Sequence, residues 1–268
     1  MRQFNRYRIS SVMLILSMLF LVSCRSVVNI TDDEFRNYLH RNGYIDFDND
    51  GNIYLTKAGK ELKNLDCSNM QINSLEGIEN FVNLEVLKCQ NNKLKRINLS
   101  KNTRLQILEC YENELKKLNV KNCEELRIII CSDNPLKTID LSTNINLQEF
   151  SCLNGELKSL NVSHNSELII LEISDNDIEK LDVSNNKKLK NLLVFFNPIK
   201  TLNLKENRWL EELYCRGTKI MMLDLTQNHS LNKVLCSDTP LKELYLSKAC
   251  DDYNFKLMVP DSTVVEFR

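Results

Sequence analysis

The sequence predicts a repeat solenoid: an arc with a parallel β-sheet on its concave face, extended or short-strand structure on its convex face, and a small helical N-terminal cap. Three observations predict it. Leucine returns at positions 84, 105, 126, 147, 168, 189, 210 and 231, a period of 21 over eight copies without an insertion, and a fixed period of this length marks stacked coils. Apolar residues recur at the same offsets in every copy. Each copy also divides into two similar halves, an alternating strand signal and then a turn, which leaves no room for a convex helix of ordinary length. At 43% hydrophobic content the 268 residues can fill a core running the length of such an array.

The N-terminal segment comes first in the chain. Arg2, Arg6 and Arg8 form a basic start, an apolar run covers Val12 to Val22, and "LVSC" spans Leu21 to Cys24. The run is too short to span a bilayer comfortably and reads as a signal peptide, residues 1–23. "LVSC" resembles a bacterial lipobox, which implies cleavage before Cys24, acylation of its thiol and new amino group, and a lipidated tether over 24–30. No second long apolar segment follows. Loss of residues 1–23 removes three arginines and no acid, shifting the formal net charge from −1 to about −4. Such a balance gives no electrostatic footprint for nucleic acid.

An N-terminal cap is expected over 31–61, because the raw end of a solenoid must be covered. Thr31-Asp32-Asp33-Glu34 reads as a capping box opening a helix, with Phe35, Tyr38 and Leu39 as its apolar face and Gly43 at its end. "DFDNDGNIYLTK", Asp46 to Lys57, resembles an EF-hand loop: Asp46, Asp48, Asp50, Gly51 and Asn52 occupy positions 1, 3, 5, 6 and 7. The resemblance implies a possible Ca2+ site at Asp46, Asp48, Asp50 and Asn52. Position 12 departs from the pattern, with Lys57 where a bidentate acid belongs. No other cofactor is expected.

The array covers 62–247, beginning with a unit one residue longer, Leu62 to Asn83. Counting from each leading leucine, offset 3 is apolar throughout, and offset 5 is Cys89, Cys110, Cys131, Cys152, Ile173, Val194, Cys215 and Cys236. Cysteine exchanging with isoleucine and valine marks a small, apolar, buried site, which free cysteine fills. The ladder cysteines are therefore expected unpaired; Cys123 and Cys250 fall outside that register. Asparagine dominates offsets 8 and 18, where an inward amide can satisfy backbone groups stranded by a tight bend. Pro135, Pro198 and Pro240 share offset 9, which suggests that the amide there needs no partner. A C-terminal cap is expected over 248–268, with "STVVEF", Ser262 to Phe267, laying a last strand on the final coil.

The repeated "LxxLxCxxNxLxxL(D/N)(L/V)SxN" resembles the leucine-rich repeats of bacterial internalin-like proteins, in particular a 21-residue subclass with a cysteine ladder. The match covers Leu62 to about Ser247, about 70% of the chain. The resemblance implies a non-enzymatic binding module on bacterial surfaces, and with Cys24 an exported lipoprotein of the cell envelope, at the outer membrane or cell surface.

Function is expected on the concave strand. If offsets 3 and 5 point inward, offsets 2, 4 and 6 point out. Two apolar clusters then emerge: Ile107, Tyr111, Ile128 and Ile130; and Leu193, Phe195, Phe196, Tyr214 and Leu235. The coil frame does not require them, and contiguous exposed apolar side chains mark interfaces. The expected partner is a protein, from a host or from the envelope, with the membrane reached through the lipid anchor. A second row at offset 11, Lys95, Lys116, Lys137, Lys158, Lys200 and Lys242, suggests a glycan or a structural envelope role as the alternative, its charge offset by Asn and Asp at offset 14. Only His40, His164 and His229 are present, in no common register, and no nucleophile stands with an evident base. An enzyme is not expected.

Overall fold

A leucine at offset 0, an apolar residue at offset 3 and a small one at offset 5 are buried in nearly every unit, so each coil closes around the same three inward contacts. The computed structural model describes residues 26–252 and 254–268. The expected signal peptide and Cys24 lie outside the described residues. The elements are α1 (Asp33–Arg41), β1 (Ile45–Phe47), β2 (Ile53–Leu55), α2 (Lys57–Lys60), β3 (Asn64–Asp66), β4 (Val86–Lys88), β5 (Arg96–Asn98), β6 (Ile107–Glu109), β7 (Lys117–Asn119), β8 (Ile128–Ile130), β9 (Glu149–Ser151), β10 (Ile170–Glu172), β11 (Asn191–Leu193), β12 (Glu212–Tyr214), β13 (Met222–Leu225), β14 (Lys233–Leu235), β15 (Glu243–Leu246), β16 (Lys256–Met258) and β17 (Val264–Phe267).

Ten of these strands form one parallel sheet in the order β16-β14-β12-β11-β10-β9-β8-β6-β4-β3. Register follows the repeat: Leu108 faces Ile129, and Leu171 faces Leu192. Only the ends slip, with Leu65 facing Leu87 and Val234 facing Leu257. Each strand is three residues long because the chain turns at once. Offset 7 is left-handed in every coil, at Asn91, Glu112, Asp133, Asn154, Asp175, Phe196, Gly217 and Asp238. Asparagine, aspartate and glycine tolerate that conformation; a phenylalanine does not do so readily.

The asparagine at offset 8 behaves as the sequence suggests. The Asn134 amide nitrogen donates to the carbonyls of Cys110, Cys131 and Ser132 at 3.0, 3.1 and 3.0 Å, while its Oδ1 accepts from the Leu115 amide at 2.8 Å. Gly155 breaks the row, and Leu136 turns its amide to the Asn134 carbonyl at 2.7 Å instead. Thr218 and Thr239 keep half of the device, each donating its hydroxyl to the cysteine carbonyl three residues back at 2.7 Å. At offset 18, Asn144 donates to Val120 and Cys123 carbonyls of the coil below. Cys123 occupies an asparagine position and points its thiol at the Leu99 carbonyl, 3.2 Å away.

Three expectations about the frame need correction. The offset-9 amide does have a partner: Lys93, Glu114, Glu156, Asp177 and Lys219 each donate to the offset-10 carbonyl of the preceding coil. The turn stacks like the strands, so each proline forgoes one coil-to-coil bond. The offset-14 side chains do not chiefly balance the lysine row. Asn98, Asn119, Asp140, Asn161, Asp182, Asn203 and Asp224 accept from the amide two residues on, closing one short turn per coil. The ladder is not wholly unpaired either. Cys215 and Cys236 form a disulfide, with Cα atoms 4.8 Å apart. In-register coils already hold neighbouring Cα atoms at bridging distance, and strand pairing survives: the Cys215 amide still donates to Leu235 at 2.8 Å. Cys67, Cys89, Cys110, Cys123, Cys131, Cys152 and Cys250 are free and buried. Cys67 extends the ladder by one coil.

On the convex side short parallel strands occur near both ends, β5 with β7 and β13-β15-β17, with extended backbone between. Both forms were expected. α1 begins one residue later than the capping-box reading: Asp32, not Thr31, accepts from the Phe35 amide at 2.9 Å, and the Thr31 hydroxyl donates to Glu76. Phe35 and Leu39 are fully buried, and Gly43 ends the helix at φ 71°. α2 is a four-residue helix capped by Thr56, and a Cβ on its Gly59 would meet the Tyr44 carbonyl oxygen at 2.0 Å. Of the segment read as a tether, the described part is packed: Val28 and Ile30 are buried, and the Val28 amide donates to Ile53. Over the C-terminal segment the chain lays two strands, β16 on the concave sheet and β17 beside β15.

Candidate functional site

The concave sheet presents rows of side chains one coil apart. At offset 4 the register gives Leu193, Tyr214, Leu235 and then Met258 on β16. Leu193, Tyr214 and Leu235 are half-buried; Met258 is exposed. Phe195 stands beside them, its ring edge-on to Tyr214 with centroids 5.3 Å apart, and Phe196 lies 6.5 Å from Phe195. The Phe195 amide donates to Ser174 Oγ at 3.1 Å, which fixes where this aromatic begins. The second expected cluster is therefore assembled, and Met258 enlarges it through a strand that carries no repeat signature.

Phe196 is its most unusual member. It sits at φ 50°, and 49% of its surface is exposed. Its ring occupies the space where a side chain at offset 7 of the next coil would be. That position is Gly217, the only glycine in the row, and a Cβ there would come within 2.4 Å of the ring. The Arg216 guanidinium lies 5.5 Å from the Phe196 centroid and pairs with Asp238 at 2.6 Å. Lys233 Nζ lies 4.6 Å from the Tyr214 centroid and donates to its hydroxyl, which in turn donates to Glu212. Burial, then that bond to Glu212, raises the Tyr214 pKa above the ordinary phenol value, so the ring stays neutral at physiological pH.

The first expected cluster is looser. Ile107 and Ile128 stack in register and Ile130 lies on the same strand as Ile128, while Tyr111 sits past the end of β6; all four are half-buried. Between the clusters several outward offsets carry small residues. Ser132, Ser151 and Ser174 are buried there although offsets 4 and 6 were expected to point out, and the Ser132 and Ser151 hydroxyls lie 3.2 Å apart. Serine is small enough for its neighbours to cover. Glu149 shares β9 with Ser151. Burial, with repulsion from Glu172, raises its carboxyl pKa.

The other expected residues fall elsewhere. Asp46, Asp48, Asp50 and Asn52 lie on and around an antiparallel β1-β2 hairpin, which leads through the Thr56 cap into α2. Asp48 Oδ1 accepts from the amides of Asp50 and Asn52, and Oδ2 from the Asn52 side chain and the Tyr54 hydroxyl. Those bonds, led by the Asn52 side chain, lower its pKa to about 2. Among the described residues no three His, Cys, Asp or Glu side chains converge as a metal site would require. The offset-11 lysines are all exposed. His229 Nδ1 lies 2.7 Å from Ser247 Oγ, but Ser247 is buried and its hydroxyl accepts the Ala249 amide as a helix cap. Burial pushes the Cys67 thiol up to about 12 and Cys123 up to about 11, with Cys89 and Cys110 raised as well. Thiols so shifted are poor nucleophiles.

Met258 and Gly217 escaped the sequence reading, whereas Arg216 and Lys233 fall at its outward offsets 6 and 2 without being joined to the cluster. Gly217 alone left a signal, as a single glycine at a repeat position otherwise mostly Asn or Asp, directly after a lone Phe.

No protein-family model matches the chain, and no curated protein matches it. Solved structures do. The functional domain of InlJ from Listeria monocytogenes, described as including a cysteine ladder, is similar at a TM-score of 0.58 and 29% sequence identity, over 74% of this chain and 51% of that one. This chain thus spans about half the length of that domain. A leucine-rich-repeat protein of Leptospira interrogans is similar at a TM-score of 0.43 and 17% identity, over 69% of each chain. The internalin InlF of Listeria monocytogenes stands at 0.39 and 16%, over 90% of this chain and 95% of that one. The 21-residue coils, their parallel register and the buried cysteine column fit internalin-like leucine-rich repeats with a cysteine ladder. Arrays of this kind offer an extended concave surface suited to protein interaction. Among the described residues no helix is long and apolar enough to cross a membrane.

Proposed function

We propose that this internalin-like leucine-rich-repeat chain is an exported lipoprotein, held to the cell envelope through Cys24, whose concave face binds another protein and catalyses nothing. The observation that carries the reading is the patch of Leu193, Phe195, Phe196, Tyr214, Leu235 and Met258. An aromatic residue held left-handed and half exposed, over a glycine that makes room for it, is costly to the fold and gives the coil nothing. Large aromatics flanked by cations, here Arg216 and Lys233, are the composition of binding hot spots. Ile107, Tyr111, Ile128 and Ile130 extend the contact toward the N-terminal end. Display at the outer membrane or cell surface completes the reading.

Capture from envelope and host-surface extracts tests it. Phe195→Asp with Tyr214→Asp is expected to abolish capture of a partner that the parent chain retains, with the fold intact by circular dichroism. Unchanged capture removes the concave face from the function. Palmitate incorporation that persists in Cys24→Ser removes the anchor.

A further inference from the structure

The convex side of the first full coils carries a groove remote in sequence from the concave patch. Its volume is about 560 Å3, and Arg96, Lys117 and Lys101 line it. The β5-β7 register sets Arg96 beside Lys117. Like charges directly opposite on paired strands destabilise the pair. Some other coil-to-coil neighbours take opposite charges, Lys88 with Glu109 at 2.9 Å and Lys190 with Glu211 at 2.8 Å, whereas the offset-11 lysines and Lys233 with Lys256 stack like charges as well. Among the described residues Arg96, Lys101 and Lys117 are in no ion pair.

Two acids also line the groove and keep their charge, so its three cations leave the lining with one net positive charge; both carboxylates hold neutral donors. Glu76 accepts from the Thr31 hydroxyl at 2.9 Å and the Asn29 side chain at 3.4 Å, and Glu79 accepts from the Gly77 amide at 3.0 Å. The remaining polar lining is neutral: Asn98 and Asn119, joined side chain to side chain at 2.8 Å, and Ser100. Unpaired cations suit carboxylate or sulfate, and an Arg fork can hold either in a bidentate manner. Amides and hydroxyls suit sugar hydroxyls. The size lies within the range of small-molecule sites.

We propose that this groove binds an anionic oligosaccharide, one acidic group bridging Arg96 and Lys117 and a second reaching Lys101. The anion relieves the repulsion that the register imposes, so the site is paid for by its ligand. The offset-11 lysine row is separate, since none of its members lines the groove.

Calorimetry of the full chain with a heparin-derived tetrasaccharide tests it. Saturable binding is expected, weakened tenfold or more in Arg96→Ser with Lys117→Ser and unchanged in Lys158→Ser with Lys200→Ser from the lysine row. Without ligand the groove variant is expected to melt higher than the parent; the tetrasaccharide then raises the parent's Tm but not the variant's. Phe195→Asp with Tyr214→Asp leaves this affinity unchanged, which separates it from the concave reading. Four results overturn the proposal: equal affinity for neutral cellotetraose, equal affinity for inorganic phosphate, equal loss in the lysine-row variant, or Arg96-dependent binding to phosphatidylglycerol vesicles with none to the tetrasaccharide.

Discussion

At offset 7 Phe196 adopts φ 50°, where the neighbouring coils place Asp175 and Gly217. Holding a bulky residue there costs about 1–3 kcal/mol, and 49% exposure recovers little of it by burial. Replacement by Asn, which tolerates the left-handed region, is expected to stabilise the chain by about 1 kcal/mol while reducing partner capture. Chemical denaturation and capture on the same preparation check both. A Phe196→Asn variant that is less stable than the parent would mean that the ring earns its place by packing, not by recognition. The phenylalanine pair was legible in the sequence as an apolar break in a polar frame. Its backbone conformation was not, because a repeat pattern shows which positions are alike without showing which one bears strain.

The coil is the element, and its turns, more than its three-residue strands, hold it in shape. Asn134 shows how: one buried amide serves three carbonyls and one N–H across two coils. Asn134→Ala would strand several of these groups, each worth about 1–3 kcal/mol when buried unpaired, so a loss of about 3 kcal/mol is expected by urea denaturation. Lys158→Ala, on the exposed lysine row, should change stability by less than about 0.5 kcal/mol. A loss below about 1 kcal/mol at Asn134 would contradict the role of the amide ladder. The asparagine register was readable because a bend common to all the coils calls for the same side chain in most of them. The offset-9 hydrogen bond was misread because proline shows where a donor is absent, not where its counterparts bond.

Over the whole molecule each coil touches only its neighbours, so opening should begin at an end and spread inward. The N-terminal end lies under α1 and the β1-β2 hairpin, whereas the last coil keeps Phe255, Leu257, Val259 and Val265 only partly buried. The thiols report on this. Burial raises the Cys110 pKa, and a hydrogen bond to Cys152 followed by burial raises that of Cys131, so little thiolate exists at pH 8 in the closed state and labelling requires opening. Because these pKa values lie above those of the unfolded chain, raising the pH through and beyond the unfolded thiol value weakens the fold, and acidification below it does not. Iodoacetamide at pH 8, read by mass spectrometry, is expected to modify Cys250 first and Cys110, Cys131 and Cys152 last. Cys110 reacting as fast as Cys250 would refute opening from the C-terminal end.

The sequence by itself determined the period, the parallel stacking, the inward cysteine and asparagine columns, and the two apolar clusters on the concave strand. The period, the stacking and the columns repeat, and a property repeated in register must be imposed by a neighbour that is the same; the clusters were legible as departures from that repeat. Only the tertiary structure decided what happens once. It joined Cys215 to Cys236, brought Met258 beside Leu235, folded residues 26–30 into the cap, tied Asp48 into a hairpin turn, and opened a groove beside Arg96 and Lys117. These depend on distances between particular atoms of different coils, which a period cannot specify.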